Sequence, residues 1–212
     1  MRMRILAVSD EIAEQLYTPT VGSRLGKIDL ILGCGDLPYY YLEYLLTALS
    51  APLYYVHGNH DPLAEYCGPD GQSHKAGPDG GENVDGRCVN AGGLLVAGLE
   101  GCIAYHPNAP HQYSQTDMAL RTLALSAHLV PNRPTKGRWL DILITHSPPF
   151  GIHDGKDPAH VGFRAFLDFM RIFRPRYLLH GHQHRNYGGG PSETRYGDTL
   201  VLNVHPYRIL EL

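Results

Sequence analysis

The sequence predicts an α/β fold with a mixed sheet, on three observations. Short apolar runs alternate with helical stripes along the chain. Each run is bounded by Gly, Pro, Asp or His, as buried strands are. Near the C-terminus strands follow one another closely, which a purely parallel sheet with helical crossovers does not permit.

In chain order, strands are expected at 5–8, 30–32 and 53–56. Between the second and third, Leu42, Leu45, Leu46 and Leu49 recur at the i, i+3, i+4, i+7 spacing of one apolar helix face. Residues 68–93 hold eight glycines and few large apolar side chains, so this long connection is expected to be mobile or to act as a lid. A strand at 94–97 follows, then a helix from Ser114 toward Leu129, with Asp117 completing a capping box. After a strand at 142–145, Phe163, Phe166, Leu167 and Met170 mark a helix with Asp157 as expected N-cap and Pro158 as first residue. Strands at 177–180 and 200–204 close the pattern. No repeat, heptad or linker divides the chain, so residues 1–212 are expected to form a single domain with a Gly-rich loop at 68–93.

Composition narrows the function. Eighteen Lys and Arg against 21 Asp and Glu leave a net charge of −3, which argues against nucleic-acid binding by bulk charge. Thirteen histidines in a charge-balanced chain point to a metal site. The first apolar run is too short for a signal peptide, and the apolar segment 39–56 is broken by Thr47, Ser50 and Pro52, so no membrane span is expected. Four cysteines without zinc-ribbon spacing read as reduced thiols, and the expected location is the cytoplasm.

Chemistry collects just past the strands. Asp10 follows the first, Asp36 the second, and His57-Gly58-Asn59-His60-Asp61 the third; His146 follows 142–145, and Gly181-His182-Gln183-His184 follows 177–180. The C-terminal edge of parallel strands is where ligands bind, because rigid strand ends present side chains to a crevice between diverging loops. Two Asp, one Asn and three His form a mixed oxygen and nitrogen set that suits Mn, Fe, Zn or Co better than Mg or Ca. Gly35, Gly58 and Gly181 each precede a candidate ligand or its neighbour, where the backbone must turn sharply beside an ion. The two imidazoles of His182-x-His184 point in different directions and could each serve a different metal. Two cations about 3.5–4 Å apart would activate a water and clamp the oxygens of an in-line displacement at phosphorus.

These motifs, Gly35-Asp36, Gly58-Asn59-His60-Asp61, the lone His146 and Gly181-His182-Gln183-His184, resemble those of the calcineurin-like metallophosphoesterases, in the family's order. The resemblance implies a four-layer α/β sandwich of two mixed sheets flanked by helices. It further implies two divalent transition-metal ions, manganese foremost, with iron, zinc or cobalt as alternatives. Carried over to this sequence, Asp36 bridges the ions, Asp10 and His184 hold the first, and Asn59, His146 and His182 hold the second. His60 becomes the catalytic acid, with Asp61 behind it setting its tautomer.

One departure stands out: Ile12 occupies the position where the family's first motif, D-x-H, carries a histidine. The first metal is therefore expected to be weak or exchangeable. The activity that follows is hydrolysis of a small phosphate mono- or diester by a metal-bridging hydroxide. A catalytically impaired metal-binding or nucleotide-sensing protein of the same fold is the first alternative. A nuclease is the second; it lacks a basic stripe, having only scattered arginines such as Arg121, Arg133, Arg138 and Arg185.

Overall fold

The computed structural model describes residues 3–62, 66–67, 73–74, 77–184 and 191–212. Its strands are β1 (Arg4–Val8), β2 (Leu30–Gly33), β3 (Leu53–Tyr55), β4 (Tyr66–Cys67), β5 (Ser73–His74), β6 (Gly81–Asn83), β7 (Cys88–Ala91), β8 (Leu94–Leu99), β9 (Cys102–Ile103), β10 (Gln112–Tyr113), β11 (Ile142–Thr145), β12 (Tyr177–His180), β13 (Glu193–Tyr196), β14 (Thr199–Asn203) and β15 (Tyr207–Glu211). The helices are α1 (Val21–Leu25), α2 (Tyr39–Leu49), α3 (Gln115–Leu129), α4 (Asn132–Lys136) and α5 (Arg164–Phe173).

Two mixed sheets carry the fold. The first has the order β15-β1-β2-β3-β6, parallel except for the antiparallel β15. The second runs β13-β14-β12-β11-β8-β7, with a parallel centre and antiparallel strands at both edges.

Side-chain alternation explains how the sheets stack. Ile5 and Ala7 of β1 join Ile142 and Ile144 of β11 and Leu179 of β12 in one buried cluster, so the two sheets meet face to face. Leu6 and Val8 point the other way and pack with Val21, Tyr41, Leu42 and Leu45 of α1 and α2. Leu143 and Leu178 likewise turn outward to meet Met118, Leu125 and Leu129 of α3 and Phe166 and Met170 of α5. Central strands buried on both faces read as unbroken apolar runs for this reason. The result is helix, sheet, sheet, helix: the four-layer sandwich.

Local expectations meet the structure unevenly. The Ser114 capping box forms, with the hydroxyl accepting from Asp117 N and the Asp117 carboxylate accepting from Ser114 N. Asp157, however, does not cap a helix at 158. Phe163 is held extended by a bridge to Pro149, donating its N–H to Pro148 O and accepting from Phe150 N, so α5 starts only at Arg164. Asp157 instead accepts from Ala159 N and faces His160 Nδ1.

The stretch expected to be a mobile loop or lid also needs correction where it is described. Gly81–Asn83 adds a parallel strand to β3, and Cys88–Ala91 an antiparallel one to β8. Residues 68–72 and 75–76, and Arg185, lie outside the described residues. Among those described, no helix is long and apolar enough to cross a membrane.

Candidate metal centre

The ends of parallel strands supply the site: Asp10 follows β1, Asp36 follows β2, Asn59 and His60 follow β3, His146 follows β11, and His182 and His184 follow β12. Three of these residues sit in the left-handed backbone region, with φ of 65° at Asp10, 56° at Asp36 and 64° at His182. Such backbone costs about 1–3 kcal/mol per residue and persists only where neighbours over-determine it. Here they do. Asp10 N donates to Gly35 O, His182 N donates to both carboxylate oxygens of Asp10 at 3.0 and 2.9 Å, and Asp36 N donates to Asp61 Oδ2 at 3.0 Å.

Two glycines are required by contact. A Cβ on Gly58 would lie 2.0 Å from Asp36 Oδ1, and one on Gly181 would lie 1.8 Å from Ser9 Oγ and 2.2 Å from Asp10 Oδ2. The space a side chain would fill is already taken by the ligand carboxylates.

Around His146 the donors converge. Its Nε2 lies 3.1 Å from Asn59 Oδ1, 3.1 Å from His182 Nδ1 and 3.2 Å from Asp36 Oδ2. His146 Nδ1 donates to Cys34 O at 2.8 Å, and His182 Nε2 donates to Ala159 O at 2.8 Å. Each ring therefore turns its other nitrogen to the centre, where it can serve as a ligand once free of a proton, the usual way an outer hydrogen bond sets a metal-binding tautomer. Asn59 is oriented by Nδ2, which donates to Tyr105 OH at 3.2 Å, leaving Oδ1 for the centre. Four donors at these separations match the edges of a coordination shell with bonds of about 2.1 Å. The residues present fit a divalent ion.

Charge agrees. Burial alone would raise the Asp36 carboxyl, but the His146 imidazole and the His60 N–H hold it far below the usual carboxylate range. His146, which burial would depress, is raised to about 9 chiefly by Asp36. Burial lowers His182 to about 3, so it stays neutral. A cation held by these residues would take the place of the His146 proton.

The other expected residues occupy the flanks. His184 Nε2 stands 3.8 Å from Asp10 Oδ1, and its ring is about half exposed. No donor comes from Ile12. The histidine stacked on His184 is instead the buried His205, with ring centroids 4.6 Å apart and Nε2 3.3 Å from Glu11 Oε2. His60 donates its backbone N–H to Asp36 Oδ1 at 2.8 Å and lines a cavity of about 390 Å³ with Asp36, Tyr39 and Asp61. Asp61, expected behind His60, uses Oδ2 to accept from Gly58 N and Asp36 N, so it braces the turn. A second cavity of about 550 Å³ opens beside His184, Gln183, His160 and Lys156.

Supporting groups stand behind these residues. Ser9 Oγ reaches the Cys34 carbonyl at 3.1 Å, and the His160 ring lies 5.0 Å from that of His182. His153 Nδ1 meets His180 Nε2 at 2.9 Å beneath the Gly181 turn.

One chain from Thermus thermophilus, TT1561, shares 19% identity with a TM-score of 0.60, covering 96% of this chain and 89% of its own. GAP50, described as the anchor in the inner membrane complex of Plasmodium, shares 12% with a TM-score of 0.54, covering 95% and 71%. At these identities the likeness is one of fold. No curated protein matches the chain. The calcineurin-like phosphoesterase family model matches residues 3–186, nearly the whole length, and the chain belongs to that family.

Proposed function

We propose that this protein is a metal-dependent phosphoesterase that hydrolyses a small phosphate mono- or diester at a dinuclear centre. The observation that carries the reading is the convergence of His146 Nε2, His182 Nδ1, Asn59 Oδ1 and Asp36 Oδ2 on one point. Those four would hold one ion; Asp10, Asp36 and His184 would hold the other, with Asp36 shared. Bound divalent ions, manganese foremost, supply Lewis acidity that lowers the pKa of water and neutralises phosphoryl oxygens.

The chain's own groups do the rest. Asp61 and the Asp36 carboxylate brace the turn that carries His60, setting that imidazole on the cavity where a leaving oxygen needs a proton. Tyr105 keeps the Asn59 amide oxygen turned inward. The net charge of −3 favours a small ester over a long polyanion.

A second reading, a metal-binding protein with impaired catalysis, is favoured by Ile12. One experiment separates the two. Metal-depleted protein is reloaded with manganese, iron, zinc or cobalt and offered chromogenic phosphate mono- and diesters, with His182→Ala as control. Turnover by the native chain that disappears in the control supports the esterase. A folded, metal-loaded chain without turnover on any ester supports the binding protein.

A further inference from the structure

A second convergence of ligand-type side chains shares no residue with the phosphoesterase centre. His57, Glu100 and His111 are all buried, and one donor atom from each lies within 4.8 Å of the others. They come from three separate places: just past β3, just past β8, and just before β10. Glu100 Oε2 stands 3.0 Å from His57 Nδ1, and Oε1 stands 3.1 Å from His111 Nδ1.

Proton accounting makes this group unusual. Asn83 Oδ1 accepts from Asp85 N at 2.7 Å, which fixes how the amide is turned, so Asn83 Nδ2 donates to His57 Nδ1 at 3.1 Å. His57 Nδ1 therefore stands between an amide N–H and a carboxylate oxygen at 3.0 Å, and it cannot accept from the one and donate to the other at the same time. His111, only 6% exposed, turns Nδ1 toward Glu100 Oε1, and His57 Nε2 makes no hydrogen bond. A buried polar atom left without a partner destabilises the fold. A cation among the three groups would remove the competition at His57 and be held by all three donors at once.

We propose that His57 Nδ1, Glu100 and His111 Nδ1 form a further metal site that takes a single divalent ion of the zinc or cobalt class. Two imidazoles and a carboxylate are the donor set such ions prefer, with water free to complete a tetrahedron. The outer contacts suit it as well. Tyr113 OH donates to Glu100 Oε1 at 2.5 Å, orienting the carboxylate. The Arg121 guanidinium, 3.9 Å from the same oxygen, is balanced by Asp85 at 2.5 Å. The ion is structural: it ties His57, the residue ahead of the Gly58–Asp61 turn, to the end of β8 and to the segment entering β10.

Cobalt(II) alone is the probe. The full chain carrying Asp36→Asn, His146→Ala and His182→Ala, which lacks the phosphoesterase centre, is expected to retain one cobalt per chain with the strong visible bands of four-coordinate cobalt. Adding His111→Ala is expected to remove both the ion and the bands. Absence of retained cobalt in the first variant, or bands unchanged by His111→Ala, overturns the proposal. Should circular dichroism show that the triple variant does not fold, native chain and His111→Ala alone are compared. A loss of one equivalent is then expected, and equal stoichiometry overturns the site. Failure of the esterase reading would appear separately, as absence of turnover by the cobalt-loaded native chain.

Discussion

His146 Nε2 and His182 Nδ1 stand 3.1 Å apart although each ring already donates its other nitrogen's proton to a carbonyl, that of Cys34 for His146 and that of Ala159 for His182. Two facing lone pairs repel unless a proton or a cation lies between them. Replacing either ring therefore removes a ligand from the centre. His182→Ala is expected to lower bound metal and kcat/KM at least about a hundredfold while leaving thermal unfolding cooperative. Metal analysis and ester hydrolysis on the same preparation check this.

Tyr105 would act on a bound metal through Asn59. Without its hydroxyl, the Asn59 amide loses the contact that turns Oδ1 inward. Tyr105→Phe is expected to weaken metal binding about 10-fold to 100-fold, the usual cost of losing an outer contact. A competitive titration against a chromophoric chelator measures it.

Gly181 has no room for a methyl group, since its Cβ would overlap both Ser9 Oγ and Asp10 Oδ2. Gly181→Ala is expected to destabilise the fold by about 1–3 kcal/mol and to displace the Asp10 carboxylate from the His182 N–H. Urea unfolding reads the first effect, and metal content the second.

In the proposed dinuclear centre, Ile12 would leave the first ion without an imidazole from its own strand end. Ile12→His is expected to tighten the weaker of two metal-binding steps in calorimetric titration by tenfold or more, and to raise ester turnover. Two equal, tight steps in the native chain would contradict a weak first site.

His153 governs a pH effect away from the metal. It bridges His180 Nε2 and Thr194 Oγ1, and burial, aided by Arg208, lowers it to about 4. As pH falls, the unfolded chain protonates this histidine near its ordinary value of about 6.5, while the folded chain resists until about 4. The contribution of His153 to stability is therefore complete above about pH 6.5 and declines below it, by up to about 1.4 kcal/mol per pH unit. His153→Gln is expected to flatten that decline, as followed by denaturant unfolding between about pH 4 and 7.5.

Much of the fold was legible in the residues. Runs such as Ile5-Leu-Ala-Val8 and Ile142-Leu-Ile-Thr145 announce strands buried on both faces, and Ser114 with Asp117 announces the start of α3. The start of α5 was hidden, because Phe163 is kept extended by Pro149, a neighbour distant in the sequence. β6 and β7 were hidden as well: short, Gly-flanked segments become strands only when β3 and β8 offer edges to pair with.

For the site, the sequence by itself determined which donors exist and the order in which strand ends deliver them, since motif spacing follows from local turns. Tertiary structure alone decided which atoms meet. Asp61 braces the backbone at Gly58 and Asp36, Tyr105 orients Asn59, and His205 stacks on His184 where Ile12 gives no donor. These partners are brought together by two sheets closing on a common core, and no local pattern encodes a contact made across that interface.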